Sequence, residues 1–185
     1  DIQHWVLTNI LNLLPVHPCA HGFVAQHSVL TNAEPHVGAS VVINADLSSF
    51  FPTITFPRVD GLFRKLGYSP AVATILALLC TECPRQTLTL GDTIYYAATG
   101  PRALPQGACT SPAISNQIAA KLDRRMTAMA VKLNWKYTRY ADDVTWSITG
   151  EISPSVGYVL ARLRHIVQDE GFELNHAKTR IQRRS

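Results

Sequence analysis

The chain has 185 residues, 46% of them hydrophobic and 16% charged, with 17 Lys and Arg against 13 Asp and Glu. That balance excludes a disordered chain, and the length suffices for one ordinary domain or most of a two-lobed one. The formal charge of +4 is a mild basic excess that suits a polyanionic partner without demanding one.

The first element is an amphipathic helix carrying Trp5, Val6, Ile10, Leu11, Leu13 and Leu14, which Pro15 and Pro18 terminate. A loop region follows, up to Val41-Val42-Ile43-Asn44-Ala45-Asp46, an apolar β-branched run that predicts a buried strand ending on an acid. A helix is expected after Thr55, with Pro57 in its first turn, to about Leu66; another starts at Ser69-Pro70. Thr87 to Ala98 reads as a hairpin around Gly91-Asp92. Ser111-Pro112 opens a long helix whose expected buried stripe is Ile114, Ile118, Leu122, Met126 and Met129. Short strands flank Ala141-Asp142-Asp143, a helix covers about Ser155 to Glu170, and Phe172-Glu173-Leu174 returns after Gly171. This order is that of a split β-α-β arrangement, class α+β with an antiparallel-rich sheet and helices on one face, although order alone also fits many unrelated folds.

Four cysteines (Cys19, Cys80, Cys83, Cys109) are too few for a disulfide-stapled fold. Cys80-x-x-Cys83 lacks the further ligands of a closed zinc site, so two thiols at a helix end is the simpler reading. No signal peptide and no apolar run of spanning length is present, so no membrane partner and a cytoplasmic location are expected. The chain begins at Asp1 rather than Met and stops at Arg183-Arg184-Ser185 without an end signal. A fragment is expected.

Asp142 and Asp143 sit between two strands, where a tight turn brings both side chains near one point, and adjacent carboxylates want a cation or a proton between them. Asp46 closes a separate strand. Three carboxylates converging from two strands suit two Mg²⁺ ions, which take oxygen ligands and keep water and phosphate as partners. The competing reading is a solvated turn. The flanks Tyr140, Val144 and Trp146 weigh against it, since an ordinary hairpin carries Gly, Asn or Ser there.

These residues resemble a known family. Tyr140-Ala141-Asp142-Asp143 resembles the Y-x-D-D box of reverse transcriptases, and Asp46-Leu47-Ser48-Ser49-Phe50-Phe51-Pro52 resembles their first palm motif. Leu104 to Pro112 resembles the L-P-Q-G-x-x-x-S-P box, and Gly171 to Asn175 with Lys178-Thr179 the lysine motif that follows. The four boxes come in the family's order and spacing. Asn32-Ala33-Glu34-Pro35-His36 looks like the N-A-x-x-H element of retron reverse transcriptases, and His21-Gly22-Phe23 and Thr138-Arg139 are retron-like.

The resemblance implies a right-hand polymerase palm with part of the fingers and no thumb. Residues 1–40 would be partial fingers, 41–56 the first palm strand, 57–109 a fingers/palm insertion and 110–185 palm. It implies an RNA-directed DNA polymerase using two Mg²⁺, with Mn²⁺ as a substitute, acting on dNTPs, a structured non-coding RNA and an RNA–DNA hybrid. The retron type adds branched RNA-linked DNA, a role in defence against phage and an effector protein of unknown kind. Asp46 and Asp142 would be the main metal ligands, with Asp143 and the carbonyl of Leu47. Phe51 would gate the sugar 2′ position, the atom that separates RNA from DNA, leaving Phe50 for the core. Gln106 and Gly107 would contact nucleotide and template, Lys178 the triphosphate, and Tyr140 and Arg139 primer or template. Ser111 and Pro112 are explained as helix-start residues.

The sequence departs from the pattern at Gln26-His27-Ser28, where a basic element is frequent, and at Ser49, where an acid is frequent. Arg124, Arg125, Lys132, Lys136, Arg180, Arg183 and Arg184 could together follow a nucleic-acid backbone, although each alone reads as a solvated cation. Two rival readings remain open: a group II intron-like reverse transcriptase, and an impaired palm that only binds RNA.

Overall fold

The computed structural model describes residues 2–184. In chain order its elements are α1 (Ile2–Asn9), α2 (Val29–Ala33), β1 (Val41–Asp46), α3 (Phe56–Lys65), α4 (Pro70–Cys80), β2 (Arg85–Leu90), β3 (Thr93–Ala98), α5 (Ser111–Leu133), β4 (Lys136–Tyr140), β5 (Asp143–Ile148), α6 (Val156–Asp169) and β6 (Arg180–Arg183). Short 3-10 turns lie at Leu11–Leu13 and Glu34–His36. This is a mixed α/β chain with antiparallel sheets, and it clusters into two compact units, one running to Leu14 and resuming over Phe51–Ile118, the other made of Pro15–Phe50 and Ala119 onward.

In the first unit, α1 ends at Asn9, earlier than expected, and Trp5 is 58% exposed while Val6 and Ile10 are buried. Helix α3 starts with Pro57 in its first turn, where a missing N–H costs nothing, and buries Val59 and Phe63. Helix α4 is capped by the Ser69 hydroxyl, which accepts from the Val72 N–H, and buries Ala73, Leu76, Ala77 and Cys80. Thr74 donates to Asp60 across the two helices at 3.2 Å. Strands β2 and β3 form the expected hairpin around Gly91. The Leu104–Gly107 loop is tied back by Leu104 N–H to the Ile54 carbonyl (3.0 Å) and by Ser111 Oγ to the Pro105 carbonyl (2.7 Å).

The second unit is built on a four-stranded antiparallel sheet in the order β4-β5-β1-β6. Alternation along β1 sends Val41, Ile43 and Ala45 to the core while Val42 and Asn44 stay half-buried on the other face. The expected return at Phe172–Leu174 is present as an isolated antiparallel bridge between Leu174 and Leu47, while strand β6 beyond it carries no signal in the sequence. The loop expected before β1 contains α2, whose five residues are too few for a periodicity. Its start is visible as a capping box between Ser28 and Thr31. Residues 15–40 cluster with the sheet, and two of their segments bond to the β4–β5 hairpin. On α5 the buried face is Ile114, Ala119, Leu122, Asp123, Met126 and Ala130, with Ile118 and Met129 half-buried. Arg125 grips Asp169 and Glu170 at the end of α6, with Lys121 also on Glu170.

His36 bridges the hairpin strands. Its Nδ1 lies 2.6 Å from Ser147 Oγ on β5 and its Nε2 2.8 Å from Thr138 Oγ1 on β4. Burial, then neighbouring Lys136 and His21, push His36 down to about 4, so the ring is neutral in the fold. The unfolded chain takes up that proton near the ordinary histidine value, so the site's contribution to stability is complete above about pH 6.5 and declines as pH falls toward 4. Between about pH 7 and pH 5 the loss from this one group is about 2 kcal/mol. Urea unfolding of His36→Gln at the two pH values should lack that component, and an unchanged pH slope would contradict the assignment.

Candidate active site

Strand β4 ends at Tyr140 and β5 begins at Asp143, which pair across the hairpin, so Ala141 and Asp142 make a two-residue turn. Ala141 has φ 55°, the left-handed region that such turns reach most easily with glycine. Next to it, β1 pairs with β5 in a register that sets Asp46 opposite Asp143. Directly opposed residues share a face of the sheet, so the two carboxylates are neighbours by construction. The backbone fixes the junction further: the Leu47 N–H donates to the Asp142 carbonyl (2.9 Å) and the Asn175 N–H to the Asp46 carbonyl (2.8 Å).

Asp46, Asp142, Asp143, Tyr140, Lys178 and Asn32 line one cleft of about 690 Å³, which Asn44, Thr145 and Arg180 extend along the sheet. Asp46 is buried, and Lys178 Nζ lies 3.2 Å from its Oδ2. Partial desolvation, then the negative charges of Asp142 and Asp46, raise the Asp143 carboxyl above the usual aspartate range against the pull of Lys178. The acids therefore repel one another, and a cation placed among them relieves the cost.

Their donor chemistry fits hard divalent ions, which prefer carboxylate oxygen. The carboxylates line one wall without gathering into a single tight cage. Among the described residues, the trio with mutual donor distances within 4.8 Å is His17, Cys19 and Asp123. That trio suits a metal poorly. Asp123 already accepts from Arg139 and Tyr137, and burial, followed by the charge of Asp123, pushes the Cys19 thiol up to about 12, so no thiolate is on offer.

Several expected site residues stand elsewhere. Arg139, expected at primer or template, is fully buried and paired with Asp123 on both carboxylate oxygens, so it is no nucleic-acid contact. Its alternating position on β4 turns it to the core face, a consequence of strand period that the sequence already contained. Within the Asn32–His36 element, Asn32 faces the cleft, Ala33 is exposed and His36 is the hairpin bridge. Leu47 is buried. Phe51, Gln106 and Gly107 belong to the first unit. Phe51 is half-buried with its carbonyl accepting from the Ile54 N–H, Gln106 is exposed beside a proline-lined cleft, and Gly107 has φ 90°, which a side chain would strain. The sequence reading missed Asp123. Its signal was an acid inside the apolar stripe of α5, a position charges leave unless paired.

The family model described as reverse transcriptase (RNA-dependent DNA polymerase) matches residues 2–185. Among curated proteins, the retron Mx162 reverse transcriptase of Myxococcus xanthus is 47% identical over 190 residues, covering 98% of this chain and 39% of that protein. The retron Mx65 reverse transcriptase of the same organism is 46% identical over 183 residues (99% of this chain, 42% of that protein). The retron Ec86 reverse transcriptase of Escherichia coli is 37% identical over 180 residues (97% and 50%). The chain thus spans half or less of the length of these relatives. With the acids in one cleft and the match running from end to end, the chain belongs to the reverse transcriptase family and is of the retron type.

Proposed function

We propose that the protein carrying this chain is an RNA-directed DNA polymerase that extends a primer hydroxyl on an RNA template with dNTPs. The observation that carries the reading is the pairing of Asp46 with Asp143 beside the Asp142 turn, with Lys178 on Asp46. In this reading the sheet unit is a split β-α-β palm and the rest belongs to the fingers. Its relatives are named retron reverse transcriptases; the reading extends to a structured RNA as template and primer, branched RNA-linked DNA as product, an effector protein and a part in defence against phage. Among the described residues no helix is long and apolar enough to cross a membrane.

Asp46 and Asp142, with Asp143 and the Leu47 carbonyl, would hold two divalent ions, Mg²⁺ or Mn²⁺. Such ions supply Lewis-acid activation of the attacking hydroxyl and charge neutralisation at the leaving pyrophosphate. Lys178, which contacts Asp46, would exchange that contact for the leaving phosphate oxygens and donate a proton there. Tyr140, on the same wall, packs against the primer end. Phe51 excludes a ribose 2′-hydroxyl by bulk, and Gln106 and Gly107 receive nucleotide and template.

Two substitutions in the full-length protein test this. Asp142→Ala is expected to reduce primer extension at least about a thousandfold, equivalent to about 4 kcal/mol of lost transition-state stabilisation. Extension equal to that of the parent would remove the metal assignment. Phe51→Ala should raise ribonucleotide incorporation relative to deoxyribonucleotide in a competition assay; an unchanged ratio would place the gate at another residue.

A further inference from the structure

The turn that presents Asp142 and Asp143 is made at a residue that L-amino acids avoid. Ala141 stands at φ 55°, in the left-handed region where a Cβ is strained, and such conformations persist where surrounding contacts over-determine them. Those contacts converge here. Arg139 Nη1 donates to the Ala141 carbonyl at 2.9 Å. On the other side Gly22 presses on the Ala141 amide so closely that a Cβ at position 22 would lie 2.3 Å from its nitrogen. The segment bearing Gly22 is itself laced to β4, with the Arg139 N–H on the Cys19 carbonyl (2.8 Å) and the His21 N–H on the Arg139 carbonyl (2.7 Å).

Arg139 is in turn fixed in direction. Its Nε and Nη2 reach the two oxygens of Asp123 at 2.8 and 2.7 Å, Tyr137 donates to the same carboxylate at 2.9 Å, and the guanidinium lies 5.9 Å from the Phe50 ring centroid. Arg139 and Asp123 are both 0% exposed. A dry ion pair is a poor device for stability, because apolar residues of similar volume often serve as well or better. What it does provide is a rigid fork with one arm left for the Ala141 carbonyl.

We propose that Arg139, locked by Asp123, is a positioning residue of the polymerase centre: with Gly22 it holds Ala141 in its left-handed conformation and so sets where the Asp142 and Asp143 carboxylates stand. This rests on the polymerase reading above. A lysine at 139 keeps the charge opposite Asp123, yet a single ammonium cannot span both carboxylate oxygens and the carbonyl.

The test is single-turnover primer extension on an RNA template by the full-length protein, with Mg²⁺ and dNTP varied separately. Arg139→Lys should melt cooperatively, lose about thirtyfold in rate constant at saturating dNTP, and keep KM for dNTP within about threefold. Its half-maximal Mg²⁺ concentration should rise at least about threefold, because misplaced carboxylates bind the ion less well. A second change, Ala141→Gly in the Arg139→Lys background, removes the conformational cost and should recover part of the rate. A fall in the amplitude of active enzyme alone, with parental rate constant and Mg²⁺ midpoint, would overturn the proposal by making Arg139 a folding residue only. Should Arg139→Lys not fold, Gly22→Ala decides by the same two readouts, since it pushes on the Ala141 amide and leaves the ion pair in place. Parental values there would also overturn the proposal. A parental protein that extends no primer would count against the polymerase reading itself.

Discussion

The antiparallel register between β1 and β5 is the constraint from which the rest of the site follows. Because side chains alternate at a period of two, a slip of one residue would turn Asp46 to the apolar core face and Ala45 to the cleft. The slip is resisted by apolar residues that already fill the core face, Ile43 opposite Trp146 and Val41 opposite Ile148, all buried. Hydrophobic packing on one face of the sheet therefore specifies a charged pair on the other. Two backbone bonds, from Leu47 to Asp142 and from Asn175 to Asp46, close the register at the end where the acids stand.

The hairpin carrying two of those acids is held from both faces, and the two holds differ in kind. On the cleft face His36 joins β4 to β5 through two hydroxyls as a neutral ring. On the core face Arg139 and Asp123 join β4 to α5 as a buried ion pair, and breaking such a pair by removing one partner costs about 3–5 kcal/mol. Neither hold touches a carboxylate of the site. Both limit how far the turn between them drifts, which suits a centre whose function depends on the placement of a few oxygens.

How much of this was legible in the sequence depended on the range of the interaction. The strands around Asp142, the end of β1 at Asp46, the starts of α3, α4 and α5, and Phe50 as the core member of the Phe50-Phe51 pair were all readable, because local pattern and capping chemistry carry them. Helix α2 was not, since five residues make no periodic signal and its place is set by His36 reaching partners more than a hundred residues away. Arg139 was expected at primer or template because its neighbours in the Y-x-D-D box are functional, and its pairing with Asp123 was hidden because that acid lies on another element. The alternation of β4 puts Arg139 with Tyr137 on the buried face, and the acid in the α5 stripe was the matching clue. Strand β6 stayed hidden because its Arg-Ile-Gln-Arg sequence is exposed throughout and carries no apolar alternation.

The central claim is that acids from two neighbouring strands share one divalent-metal site. Replacing Mg²⁺ by Fe²⁺ and generating hydroxyl radicals with ascorbate cuts a polypeptide where the ion is bound, so mapping the cleavage sites reads the site directly. The account predicts scission at both Asp46–Leu47 and Ala141–Asp143, suppressed together by excess Mg²⁺. Scission at only one of these strands, or instead around His17, Cys19 and Asp123, would contradict it.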